Sequence, residues 1–179
     1  MIPAAICYTL PRPAMRGFEM RPYQLFAAMA PEQARALLDA LKEKAPLAYA
    51  QALGLTAGAL KARPIFLQRL APERRAELVR KALARVASDP VAEEMLAVYF
   101  IEGRNELLVE WLDLLGVKHE KGTLEGEPVE PPAKKLEAAV ADFRKAAGDS
   151  DRADRELLMR AFAAQASIEW PGLDAQLAS

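Results

Sequence analysis

A chain of 179 residues with 24 basic and 25 acidic side chains, a net charge of −1 and 52% apolar residues is long enough to bury one sizeable core, roughly 70% of the surface its unfolded chain exposes, and too apolar to stay disordered. Alanine and leucine dominate while strand-favouring residues are sparse, which predicts an all-α fold. One cysteine, Cys7, excludes an internal disulfide, and with one histidine, His119, more than a hundred residues away in sequence, it supports neither a thiol-histidine triad nor a multi-ligand zinc site.

Residues 1–20 contain Pro3, Pro11 and Pro13 and no basic leader ahead of an apolar run, so an irregular segment without a signal helix is expected there. The first clear helix opens at Pro31, has Glu32 in its first turn, and ends near Ala45 behind Lys42 and Lys44. Pro46 starts a second, largely apolar helix expected to be buried and to stop at Gly54. Thr56 then reads as the cap of a short helix that Pro64 interrupts, followed by a packed apolar turn of Ile65, Phe66, Leu67 and Leu70. Pro72 and Glu73 open a helix to Ser88 with Leu78, Val79, Leu83 and Val86 at helical spacing.

Asp89 and Pro90 begin the next helix, which carries Leu96, Tyr99 and Phe100 and closes at Gly103. Asn105 caps its successor, in which Trp111 lies among leucines and Gly116 and Val117 form a Schellman-type stop. Residues 117–132 lose periodicity and collect Gly122, Gly126, Pro128, Pro131, Pro132 and four glutamates, the pattern of an exposed acidic loop. Helices over about 132–147 and 151–169 follow, with a last turn from Pro171 that places Leu173 and Leu177 four apart. Seven to eight helical segments on short loops predict an array of antiparallel helical hairpins around one core, a single domain over 1–179. Ala30-Pro31-Glu32 recurs as Ala71-Pro72-Glu73, but helix-start grammar alone accounts for the likeness and no third copy follows at that period.

The least ordinary feature is the charge distribution. Residues 57–88 hold eight cations against two acids, a net of +6, and residues 89–130 hold eleven acids against three cations, a net of −8. Such runs are either solvated faces that attract each other within the fold, a docking surface for a protein partner, or, for residues 61–85, a weak site for nucleic-acid phosphates. A pI near 6.0 and the lack of interleaved aromatics weigh against nucleic acid. Arg74, Lys81 and Arg85 share one face and are the candidate partner-binding residues.

For catalysis the candidates are His119, whose ordinary pKa near 6.5 suits acid-base work, and its neighbour Glu120. Neutral polar groups are scarce, Asn105 being the sole asparagine, and no Gly-x-Gly or Walker pattern occurs. By elimination the expected function is a non-catalytic, adaptor-like protein-protein interaction domain, with a small helical enzyme built on carboxylates and arginines as the alternative. No cofactor or metal is expected. No uncharged run reaches the roughly 18 to 20 residues of a membrane span. The unpaired thiol suits a reducing cytoplasm, and the Ala, Leu, Arg and Glu tracts resemble the product of a GC-rich bacterial genome.

Overall fold

The computed structural model describes residues 20–145, 149–165 and 167–178, so Cys7, Tyr8, Phe18 and the expected irregular segment up to residue 19 lie outside the described residues. Among those described there are ten α-helices: α1 (Pro22–Ala28), α2 (Pro31–Lys44), α3 (Pro46–Ala59), α4 (Pro64–Gln68), α5 (Pro72–Leu83), α6 (Asp89–Val98), α7 (Asn105–Leu115), α8 (Ala133–Phe143), α9 (Asp149–Ala163) and α10 (Pro171–Ala178). The fold is an all-α array. Six of the ten begin on proline, whose fixed φ suits the first helical position and whose missing N-H would have found no partner there. None of these helices is longer and more apolar than a buried core helix, and no helix among the described residues can cross a membrane.

α2 packs on α3, α5 and a π-helical turn at Tyr99–Gly103, α1 and α9 cover α6, and α7 lies between α8 and α9. The π turn is where the expected Gly103 stop falls: a Cβ there would meet the Tyr99 ring at 3.3 Å and the Ala40 Cβ at 3.4 Å, so glycine lets this turn sit against α2. Trp111, which lies among leucines in sequence, is fully buried: it packs at a tilt on Phe143 at 5.1 Å and meets Phe162 edge-on at 6.2 Å, and Phe162 in turn meets Trp170 at 5.4 Å. α7 ends as its sequence implies: Gly116 takes φ 70°, and the Val117 N-H donates to the Leu112 carbonyl at 3.1 Å.

Between residues 46 and 88 five local expectations are corrected. α3 does not stop at Gly54 but runs to Ala59, and Thr56, instead of capping, donates its hydroxyl to the Ala52 carbonyl at 2.7 Å. A helical glycine costs about 1 kcal/mol, less than is gained by burying Ala48, Ala52, Leu53 and Ala57 on the neighbouring helices. Its outer face is not buried: Leu47 is 88% exposed. The helix breaks at Lys61, a left-handed residue at φ 52°, with the Ala62 N-H reaching back to the Ala57 carbonyl at 2.9 Å. In α4 only Leu67 is buried, while Ile65 and Phe66 are each half exposed, because a five-residue helix has one inward face. α5 ends at Leu83 and a 3-10 turn at Val86–Ser88 follows, leaving Val86 exposed.

The acidic loop contains a small antiparallel hairpin, β1 (His119–Glu120) with β2 (Thr123–Leu124), paired His119 to Leu124 and Glu120 to Thr123. Its two turn residues, Lys121 at φ 50° and Gly122 at φ 92°, both occupy the left-handed region that two-residue hairpins demand. α1 was not anticipated from the sequence, although its Leu25 and Phe26 are core residues. α8 and α9 end earlier than their patterns suggest, at Phe143 and Ala163.

Candidate functional site

No ion pair among the described residues joins residues 57–88 to residues 89–130, so the two charged stretches do not neutralise each other. The basic stretch instead builds a corner from the end of α3, α4 and the start of α5. Lys61, Arg63, Arg69 and Arg74 are exposed there and none has a carboxylate partner among the described residues. The nearest acid in sequence, Glu73, is held by Arg35 of α2 at 2.5 Å. Between the cations stand Leu60, Ile65 and Phe66, respectively 42%, 50% and 51% exposed. Phe66 of α4 and Arg69 just past its end lie three apart and are both exposed, while Leu67 is buried, so apolar and basic side chains share the outer face.

Beneath the corner Arg75 is buried without any acid: its Nη1 donates to the Gln68 carbonyl at 3.1 Å and its Nε has no partner. It adds a further positive charge behind the surface. Of the expected partner-binding residues, Arg74 and Lys81 are both exposed on α5 and seven residues apart, about 10 Å along the axis. Arg85 lies beyond the end of α5, exposed and without an acid partner, whereas Lys81 pairs with Glu77 at 3.0 Å. Glu77 also accepts from Arg80 Nε and Nη2, and these hydrogen bonds, Arg80 first and then Lys81, hold its carboxyl at about 2 against an ordinary 4.5.

His119 and Glu120 are not brought together, because neighbours in a strand point to opposite faces. His119 is not solvated either. Its Nδ1 accepts the Gly122 N-H at 3.2 Å and its Nε2 faces Asp113 at 3.2 Å, so the ring ties the hairpin to α7. Asn105 does the same from the other side, donating its amide to the Lys121 carbonyl at 2.9 Å rather than capping α7. Glu120 is exposed, with no partner among the described residues.

An arginine-carboxylate cluster of the kind an all-helical enzyme would need does form, between α7, α9 and the π turn. Arg104 bonds Asp154 at 2.5 Å and Asp151 at 2.8 Å, and Arg155 grips Glu110 with two bonds of 2.6 and 2.7 Å and Asp151 with one of 2.9 Å. Asp154, only 5% exposed, also accepts the Tyr99 hydroxyl at 3.0 Å. Burial, and then the Asp154 charge, push the Tyr99 hydroxyl above its ordinary range. The hydrogen bond from Arg155, reinforced by Arg104, holds the Asp151 carboxyl below the usual range in spite of desolvation. The guanidinium of Arg155 also lies 4.6 Å over the Phe143 ring.

Every acid of the cluster is bonded by an arginine, and none of its side chains lines the apolar cavity that Phe100 and Ile101 of the π turn border. Its arrangement is that of a brace between α7 and α9. No group of three or more metal-ligating side chains occurs among the described residues. No protein-family model, no curated protein and no solved structure matches the chain.

Proposed function

We propose that the chain is a non-catalytic binding protein whose α3–α5 corner docks a protein surface that is itself acidic and partly apolar. The observation that carries this reading is the set of exposed cations without acids, Lys61, Arg63, Arg69 and Arg74, interleaved with exposed Leu60, Ile65 and Phe66. The corner stands out from a chain of net charge −1. Its field reaches about 8 Å at physiological salt and would steer an acidic partner to it.

The mixture also distinguishes the occupant. Nucleic-acid backbones reward cations but offer nothing to Ile65 and Phe66, and a five-residue α4 is far shorter than the helices that lie in a membrane interface. A protein surface satisfies both halves, apolar contact at the centre and charge at the rim. The Arg104 and Arg155 cluster favours this reading over the enzymatic one, since its carboxylates are already charge-paired and none lines the apolar cavity.

Cross-linking in the cell that produces the chain, followed by binding measurements on the purified pair, tests the proposal. Affinity for the captured protein is expected to fall at least tenfold, about 1.4 kcal/mol, in Arg63→Glu with Arg69→Glu and again in Phe66→Ser. It should also weaken as salt rises from 50 to 200 mM, a range over which the Debye length shortens appreciably. A partner held equally by the wild type and these variants would overturn the reading. So would tighter binding to a DNA duplex or to anionic vesicles than to any protein captured.

A further inference from the structure

A cavity of about 320 Å³ lies between α1, α6, the π turn, α7, the hairpin and the end of α9. Its walls are apolar, chiefly Phe100 of the π turn, Leu112, Leu158 and Phe162. Three polar side chains join them, Glu93, Thr123 and Gln165, and no lysine or arginine lines it. Glu93 is half-buried, and its carboxylate has no hydrogen bond or ion pair among the described residues. The same is true of the Gln165 amide. In a protein where Glu77, Glu110, Asp151 and Asp154 are all bonded by arginines, a free carboxylate at an apolar hollow stands apart.

The hollow is also a built one. Asn105 and His119 fix the hairpin that supplies Gly122, Thr123 and Leu124 as one wall. A Cβ on Gly122 would approach the Asn105 amide and Leu108 Cδ2 at 3.0 Å, so the wall lies close against α7. An apolar cavity of roughly 150 Å³ takes one benzene ring, and this volume is about twice that, room for a body of about ten carbons. Pockets of this size combine an apolar interior with a few polar groups that set orientation and head-group preference.

We propose that this cavity binds an organic amine with an apolar body of about ten carbons, its ammonium group on Glu93 and its body against Phe100, Leu158 and Phe162. The carboxylate selects the cationic head by a charge-assisted hydrogen bond. It disfavours a carboxylic acid of the same length, because no cation in the lining offsets the like charge. The site is separate from the basic corner, and binding there does not depend on that reading.

Calorimetric titration of the full chain with n-decylamine, 1-decanol and decanoate, each below its aggregation threshold, tests the assignment. Saturable binding of decylamine to one site is expected, at least tenfold tighter than decanoate. Glu93→Gln should bring decylamine and decanol to within about twofold of each other, and Ala97→Phe, which fills the hollow from α6, should remove saturable binding of both. Circular dichroism checks that each variant folds. Should Ala97→Phe fail to fold, the rim change Glu93→Gln decides alone. No saturable binding of decylamine by the wild type, decanoate bound as tightly as the amine, amine affinity unmoved by Glu93→Gln, or binding that survives in a folded Ala97→Phe would each overturn the proposal.

Discussion

Arg104 and Arg155 in the brace and Arg63, Arg69 and Arg74 in the corner are the same side chain in opposite circumstances. Around the first pair, Glu110, Asp151 and Asp154 converge to within 2.5 to 2.9 Å, and the acids come from α7 and α9, far apart in sequence. Around the second set the fold delivers no acid, and Glu73 is drawn away to α2. The arginines of the brace are consumed by the structure, whereas those of the corner remain available to something outside it. A charge run in a sequence therefore has no meaning by itself; what matters is which elements the topology folds onto it.

That contrast can be broken or sharpened by experiment. Trp111→Ala, which empties the core behind the brace, sets the upper scale: removal of a fully buried indole should cost about 3 to 5 kcal/mol in urea unfolding. Arg104→Ala should follow at about 3 kcal/mol, because it leaves the Asp154 carboxylate inside the protein without its counter-charge. An unfolding midpoint equal to that of the wild type would mean the brace is no brace.

Alkali should attack the same region. The Tyr99 hydroxyl is kept protonated first by burial and then by Asp154, so its folded pKa is raised above the ordinary 10.0. The stability tied to that proton is intact below pH 10 and is lost as the pH rises beyond it. Phenolate absorbance and far-ultraviolet circular dichroism should accordingly change together above pH 10, and Tyr99→Phe should separate them.

Glu77 is the corresponding acid-side probe on α5. Its folded pKa of about 2 lies below the ordinary 4.5, so the stability it contributes is present above pH 4.5 and lost as the pH falls towards 2. The difference in melting temperature between the wild type and Glu77→Gln should be steady above about pH 5 and should shrink on acidification.

The smallest effect on stability belongs to the triple change Arg74→Glu, Lys81→Glu and Arg85→Glu. Of the three only Lys81 has an acid partner, and that ammonium is 62% exposed. The cost should therefore stay below about 1 kcal/mol, measured by urea unfolding, while binding of the protein partner falls. A cost comparable to that of Arg104→Ala would show that the basic stretch belongs to the fold after all.

The helix starts were legible because proline at the first helical position is a local signal, and Pro31, Pro46 and Pro72 needed no knowledge of the rest of the chain. Stops were harder to read. Gly54 resembles a terminator, yet the pairing of Ala48, Ala52 and Ala57 with neighbouring helices carries α3 past it, an effect invisible in the local sequence. The exposure of Ile65 and Phe66 escaped notice for the same reason, since an apolar run does not declare which of its members a five-residue helix turns outward. The hairpin at residues 119–124 was within reach through Gly122, but Lys121 is not a residue that advertises a left-handed turn. The excess of cations in residues 57–88 could be counted in advance; that no carboxylate from residues 89–130 would come to meet it could not, nor could the joining of Arg104 to Asp154 across fifty positions.

The π turn at Tyr99–Gly103 sets two consecutive aromatic rings to different tasks. Tyr99 reaches the Asp154 carboxylate of the brace, and Phe100, whose ring centre is 5.0 Å away, forms a wall of the cavity. Occupancy of the hollow and integrity of the ion cluster are thus properties of one backbone segment. A molecule that fills the hollow only in the folded state raises the free energy of unfolding by mass action. Where a change in the cluster alters the affinity of the hollow, occupancy of the hollow alters the cluster by the same factor. Melting curves of the wild type and of Arg104→Ala, each taken with and without decylamine, test that linkage: a different amine-induced shift in the two proteins would show the cavity and the brace to be coupled through this turn.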